Sequence, residues 1–379
     1  MKPFTLFIQC TFFISAFSLS FHAAAQEVVA NEILIGQSTP LTGLASELGI
    51  PSSESARAYF DHVNDQGGIH GRKIKFIVYD DAYSPQQAVK NVQKLIGEDH
   101  VFAICGIVGT PSNIAVLPII AKENIPMIAP GTGSDLIRKP LNPFVFNVRA
   151  SYQMELNKIF EHMEIRGISK IAIAFQNNAF GKEGYEHAKG IAAARSIQIS
   201  AATSMENDAS NAAEVASLFS TSAPQAILLV TVGKPSIALI KEYRKLVAGA
   251  QFFGLSPMGS QTILKALGSD GVGLVISQVV PFPYSATSEI VREYQGVMGK
   301  AGLRNLSFAS MEGYITAKIV VEALKRTGKD LTKKKFVKTL SSMSNVDLGG
   351  FIVDFNDRTQ QGSRFVDLTV ISRKGQFIR

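Results

Sequence analysis

Three short segments carry the residue types that can hold an anion without a metal. Gly106-Ile107-Val108-Gly109-Thr110-Pro111-Ser112-Asn113 reads as a strand end, a glycine turn and a helix start. Thr110 is placed as the N-cap and Pro111 as the first helical residue, which leaves the amides of Ser112 and Asn113 ahead of the helix's own ladder. Such amides, at the positive end of the helix dipole, favour a carboxylate or a phosphate. The second segment is Ala129-Pro130-Gly131-Thr132-Gly133-Ser134, whose missing side chains let a ligand approach the backbone. The third is Thr231-Val232-Gly233-Lys234-Pro235-Ser236. Each, taken alone, also reads as a well-capped turn and nothing more.

Patterns for covalent or metal chemistry are missing. The six histidines (His22, His62, His70, His100, His162 and His187) are dispersed, with no H-E-x-x-H and no Cys/His metal spacing. Gly254-Leu255-Ser256-Pro257-Met258-Gly259 is one residue too long for a nucleophile elbow. A secreted hydrolase using Ser256 would need a histidine from earlier in the chain, since none follows His187. Gly131-x-Gly133 lacks the third glycine of a dinucleotide loop, and no phosphate loop with Lys-Ser/Thr exists. Asp80-Asp81, at a strand end, is read as loop capping. No enzyme activity, metal or cofactor is expected.

The elements that must position these segments alternate strand with helix. Ile33–Ile35, Ile74–Tyr79, Val101–Ile104 and Ile125–Ile128 are short apolar runs. Between them, Ala56, Tyr59, Phe60 and Val63 share one helical face. Ser84-Pro85-Gln86-Gln87 opens another helix with a cap, a proline at its first position and an amide that can reach back. A second series starts at Ser151: a helix on Tyr152, Leu156, Ile159 and Met163, strands Ile171–Phe175 and Ala226–Val230, and a helix from Pro235. The fold class is therefore α/β, two doubly wound parallel-sheet lobes joined near Arg149. The last quarter reads as helices Glu289–Met298, Met311–Leu324 and Leu331–Leu340, then strands Phe351–Val353 and Phe365–Ile371. Periodicity does not say which lobe that tail completes.

Lys2, the apolar run Phe4–Phe21 and Ala23-Ala24-Ala25 have the layout of a cleaved secretory signal peptide over residues 1–25. Cys10 lies inside that run, so a lipid anchor is not expected. The expected product is soluble, periplasmic and monomeric, beginning near Gln26. The remaining Cys105 stands in an apolar strand and reads as a core residue. The charge of +7 is scattered, Lys333-Lys334-Lys335 being a solvated helix face, and no basic cluster is interleaved with stacking aromatics. A nucleic-acid partner is not expected.

With these residues in view, the chain resembles the type I periplasmic binding proteins of ABC importers, the group that includes the leucine/isoleucine/valine-binding protein. The landmarks are Ile35-Gly36 through Pro40-Leu41-Thr42-Gly43, Val63-Asn64 with Gly67-Gly68-Ile69 and Gly71-Arg72, and Tyr79-Asp80-Asp81. Pro85-Gln86-Gln87-Ala88-Val89, Ile128-Ala129-Pro130-Gly131-Thr132 and Phe180-Gly181-Lys182-Glu183-Gly184 follow in order. The resemblance implies three crossovers, near Arg149, Val280 and Gly350. Residues 26–149 and 281–349 would form one lobe, 150–280 and 350–379 the other. It implies a ligand enclosed between the lobes and delivered to the membrane subunits of an ABC permease; a ligand-sensing adaptor for a membrane receptor is the alternative.

It also implies a ligand-binding set. The carboxylate-binding hydroxyl falls on Thr110, with Ser112 behind it. The backbone contacts fall on Gly131 and Thr132, with Val232 on the second lobe. The next threonine of the family is Gly133 here, and Ser134 is the nearby substitute. The aromatic clamp is Phe180 and the wall near the first loop is Leu48. The glutamate that pairs with the ligand's ammonium falls on Ser256, which carries no charge. A buried ammonium without a counter-charge costs several kcal/mol. The expected ligand is therefore a small carboxylate or another anionic or polar metabolite rather than leucine, unless Glu312, Glu47 or Asp135 restores the charge. Two cysteines that form a disulfide in some relatives fall on Tyr83 and Gly109.

Overall fold

The computed structural model describes residues 31–247, 249–355 and 361–379. The leader-like segment, Cys10 and the expected start at Gln26 lie outside the described residues. Among the described residues no helix is long and apolar enough to cross a membrane.

The first sheet has five parallel strands: β1 (Glu32–Thr39), β2 (Lys73–Asp80), β3 (Ala103–Cys105), β4 (Met127–Ile128) and β5 (Val145–Phe146), in the order β2-β1-β3-β4-β5. Helices α1 (Ser46–Asp65), α2 (Pro85–Gly97) and α3 (Thr110–Glu123) connect them. The chain then enters a second body: α4 (Tyr152–Ile165), β6 (Lys170–Gln176), α5 (Ala179–Ala194), β7 (Gln198–Met205), α6 (Ala212–Ser222), β8 (Ala226–Val230), α7 (Lys234–Leu246), β9 (Gln251–Gly254), α8 (Gln261–Leu267) and β10 (Val275–Gln278). It returns through α9 (Glu289–Lys300), α10 (Phe308–Thr327) and α11 (Lys333–Ser342), with α10 packed along α1. A small hairpin, β11 (Val346–Asp347) and β12 (Ile352–Val353), precedes the last crossing to β13 (Asp367–Ile371) and β14 (Phe377–Ile378).

The second sheet runs β14-β13-β10-β9-β8-β6-β7. Its β7-β6-β8-β9-β10 stretch is parallel and repeats the strand order of the first sheet, whereas β13 and β14 add antiparallel strands at one edge. Both sheets are thus built on parallel strands, as expected, and the chain's last two strands extend the second at its edge. The tail's strands Phe351–Val353 and Phe365–Ile371 separate, one into the hairpin and one onto this edge.

This order points to where a candidate site would lie. Each sheet reverses its direction of growth between its first and third strands, β1/β3 and β6/β8, and ligands of open α/β sheets bind beyond the strand ends at that switch point. The segments leaving β1, β3, β6 and β8 carry Leu48, Gly109, Phe180 and Val232 respectively. Fully buried β8 and the near-fully buried β6 are apolar on both faces, as strands covered by helices on both sides must be. Cys105 is wholly buried in β3, and burial pushes its thiol up to about 12, so it is a core residue. Asp80 accepts the N–H groups of Leu41, Thr42 and Ala82 and the Thr42 hydroxyl, which makes it the expected loop cap.

Candidate functional site

A cavity of about 50 Å³ lies between the two bodies, several times the roughly 10–15 Å³ that one water needs. Leu48, Gly109 and Gly131 line it from the first lobe, and Phe180, Val232 and Ser256 from the second. Five of the nine residues expected at a ligand site are thus brought together: Leu48, Gly131, Phe180, Val232 and Ser256. The other four, Thr110, Ser112, Thr132 and Ser134, are fully buried and do not line the cavity.

The reasons are local. The N-cap of α3 is Gly109, with φ +99°, and Thr110 is already helical with no capping bond of its own. Its hydroxyl lies 2.7 Å from that of Thr132, which in turn donates to the Tyr152 hydroxyl at 3.4 Å. Tyr152 does line the cavity, so the two threonines stand behind it. The Asn113 amide, expected to be free, donates to Gly109 O at 3.1 Å, and the backbone of the Pro-Gly loop, expected to contact a ligand, is used internally. Gly131 N donates to Ile107 O at 2.7 Å, and Thr132 N to Pro130 O at 2.8 Å. Gly109 N donates to Gly131 O at 3.1 Å, so the first two junctions are zipped together. The buried Ser112 hydroxyl has no partner. Ser134 donates to the carboxylate of Glu183 rather than facing a ligand.

The third junction is also not an open anion site. Gly233 sits so close to the first lobe that a Cβ there would meet Leu44 O at 2.9 Å and Glu47 Oε1 at 3.3 Å. The start of α1 covers the start of α7. At the two positions where the resemblance implies a cysteine pair, the Tyr83 ring packs on Gly109, within 2.4 Å of where a Cβ would stand.

The feature that sequence reasoning missed is charged. Arg149 lines the cavity at the first crossover and is 94% buried, its side chain being 6% exposed. Its Nη2 meets Glu155 Oε1 at 3.2 Å and also donates to the Ser256 hydroxyl. Its Nη1 meets Glu312 Oε1 at 3.2 Å. Its Nε has no partner, and the guanidinium carbon lies 5.8 Å from the centre of the Tyr152 ring. Burial disfavours the cation, yet Glu312 and Glu155 together hold it well above the ordinary arginine value. Burial pushes the Glu312 carboxyl up, and Arg149 pulls it back. Glu312 lines the cavity; Glu47 is partly buried and Asp135 pairs with Lys139, neither in its wall.

Ser256 is held between Arg149 and Glu155, with its amide donating to Glu155 Oε2 at 2.8 Å. Among the described residues, the Ser256 hydroxyl's hydrogen-bond partners are the Arg149 guanidinium and the Glu155 carboxylate, not the imidazole that the hydrolase reading would need. The only signal for this cluster in the sequence was an arginine ending the apolar stretch Val145–Val148, six residues before Glu155.

A sequence model of the periplasmic binding protein family matches residues 32–376. A substrate-binding periplasmic protein from Ralstonia solanacearum superposes with a TM-score of 0.86 at 30% identity, covering 91% of this chain and 99% of that one. A possible leucine/isoleucine/valine-binding protein from Rhodopirellula baltica SH 1 gives 0.85 at 27% identity over 92% and 97% of the two chains. Leu/Ile/Val-binding protein homolog 3 of Brucella melitensis is 29% identical over 155 residues, 40% of this chain and 41% of the relative. The chain matches the first curated relatives over only about two fifths of their length or less.

Proposed function

The chain belongs to the periplasmic binding protein family, and on that premise we propose that it is an exported solute-binding protein. It captures a small carboxylate or amino-acid-like ligand in the cleft between its lobes and delivers it to the membrane permease of an ABC importer. The observation that carries this reading is a cavity walled by both lobes, apolar except where Arg149, Glu312 and a few neutral polar groups reach it. An apolar wall with a few convergent polar groups is the form of a small-molecule site.

The carboxylate end is assigned to the hydroxyl of Tyr152, the first residue of α4, backed by Thr132 and by Thr110 at the start of α3. Phe180 and Leu48 supply apolar area from opposite lobes. The reason for setting leucine aside was the missing charge at Ser256. That reason weakens, because Glu312 brings a carboxylate to the cavity wall. The working cycle is hinge closure on the ligand, which requires the closed form to bind it more tightly than the open form.

A thermal-shift screen of L-amino acids, 2-oxo acids and aromatic and short aliphatic carboxylates tests the proposal. A ligand present at 100 times its Kd adds about 2.7 kcal/mol, enough to raise the midpoint by a few degrees in lobes of this size. A screen in which none of these compounds moves the midpoint at millimolar concentration sinks the reading.

A further inference from the structure

Positive charge that is scattered along the sequence is gathered by the fold at one end of the first lobe. The turn before β2 brings Arg72 and Lys73 against the C-terminal end of α10: His70 Nε2 lies 3.2 Å from Lys325 O, and the Arg72 guanidinium donates to Lys329 O. Lys325, Arg326 and Lys329 are exposed there. α11 follows at once, with Phe336 and Leu340 fully buried in the core that α10 also joins. Lys334 and Lys338, four residues apart, share the opposite face of α11, and both are exposed. Lys333, Lys334 and Lys335 fill its first turn, which has no acidic residue. Cations there oppose the helix dipole, so the helix's own stability does not account for them.

The segments 70–73 and 325–338 together hold nine lysines and arginines. Five acids stand near them: Glu32 beside Lys73, Asp61 and Asp65 at the end of α1, Glu322 on Arg326 and Asp330 on Lys335. The excess of four is more than half of the chain's formal charge of +7. Glu98 and Asp99 follow α2, which packs on the other face of the sheet. This end lies away from the cleft. Glu312, near the start of α10, lines the cavity, and Arg326 is about 21 Å further along the helix at roughly 1.5 Å per residue. Lys73 N donates to Asn31 O at 3.0 Å, so residues 1–30 join the first lobe beside these cations.

The chemistry of the surface selects its partner. No large apolar side chain is exposed in either segment, and Phe336, the one aromatic ring between 325 and 338, is buried. Nucleic-acid bases find nothing to stack on, and a lysine-rich face without an apolar centre is the reverse of a protein–protein interface. A plane of phosphodiester headgroups, held by charge alone, needs neither. We infer that this end of the first lobe docks on an anionic phospholipid surface, with the ligand cleft held clear of it.

The test is co-sedimentation with lipid vesicles of the chain from Gln26, which contains every described residue. Vesicles of phosphatidylcholine with about 30% phosphatidylglycerol are compared with pure phosphatidylcholine. The anionic vesicles should bind at least tenfold more tightly in about 20 mM salt, and the difference should vanish in about 0.5 M salt, where exposed charges are screened. Each cation near such a surface contributes about fivefold. Lys329→Gln, Lys334→Gln and Lys338→Gln together should therefore remove the preference. Lys158→Gln, Lys189→Gln and Lys245→Gln, an equal loss of charge from exposed positions on the second lobe, should leave most of it. No preference for anionic vesicles overturns the inference, and so does an equal loss in the two triple variants, which would make net charge the cause. Binding of single-stranded oligothymidylate as tight as that of anionic vesicles, at equal phosphate, would mark a general polyanion surface and overturn it too. None of these readouts involves the cleft ligand, so a failed ligand screen and a failed docking surface are told apart.

Discussion

Glu183 on α5 reaches across the cleft and accepts the backbone N–H of Asp135 at 2.6 Å, while its second oxygen receives the Ser134 hydroxyl. The contact joins the second lobe to the Pro-Gly loop of the first, and on the proposed hinge cycle it is one that closure would make. Charge-assisted bonds of this kind contribute roughly 1.5–3 kcal/mol each. Glu183→Ala should therefore weaken ligand binding by about tenfold without touching the cavity wall, read as Kd by calorimetry. Unchanged affinity would mean that this contact does not hold the closed state.

The same carboxylate carries a pH dependence. His187 lies 3.5 Å from Glu183, an ion pair rather than a well-aimed hydrogen bond, and Glu183 raises its pKa while Lys139 opposes and Asp135 assists. A raised folded value means stabilisation present below the unfolded pKa of about 6.5 and lost as pH rises through the folded one. Glu183 is shifted the other way, below the ordinary carboxylate value, so its share is lost only in acid. The pair is partly exposed and worth at most about 1 kcal/mol. Wild-type stability, read as the midpoint of urea unfolding, should fall slightly between pH 6 and 8, and His187→Asn should flatten that slope.

Arg149→Met tests the buried cluster. Removing one partner of a buried ion pair leaves an uncompensated charge and costs about 3–5 kcal/mol. Here two carboxylates, Glu155 and Glu312, lose their shared cation. The midpoint of urea unfolding should drop accordingly, and Arg149→Lys should recover only part, because a single ammonium does not reproduce the fork that serves both lobes.

Gly133 stands where the resemblance implies a threonine, and its surroundings leave no room for a side chain. A Cβ there would stand 2.7 Å from both the Tyr152 ring and the Tyr152 backbone nitrogen. Gly133→Ala should destabilise the protein by about 1–3 kcal/mol by overpacking and should displace Tyr152 from the cavity wall. Thermal unfolding with and without ligand measures both effects.

Much of the fold was legible because it rests on short-range patterns. β8 and the Ile171–Phe175 stretch of β6 are unbroken apolar runs, and Ser84 caps α2 by accepting the Gln87 amide at 3.4 Å, as its spacing predicts. The Gln87 side chain did not reach back; it turned to Asn91 at 2.9 Å. The site was half legible. Leu48, Phe180 and Val232 follow strands at the switch points, and Gly131 and Ser256 follow the ends of β4 and β9, a rule that local sequence can apply. The fates of Thr110, Thr132 and Ser134 were not legible, because their hydroxyls are taken by Tyr152's neighbourhood and by Glu183, residues 20 or more positions away. Arg149 escaped for the same reason: Glu312 is 163 positions further on.

The most direct measurement removes one wall from each lobe. Leu48→Ala and Phe180→Ala are titrated with the same ligand, the strongest responder among small carboxylates and amino acids. Each variant should weaken that ligand at least tenfold, because both side chains close on it from opposite sides. Full wild-type affinity in either variant would contradict an interlobe site.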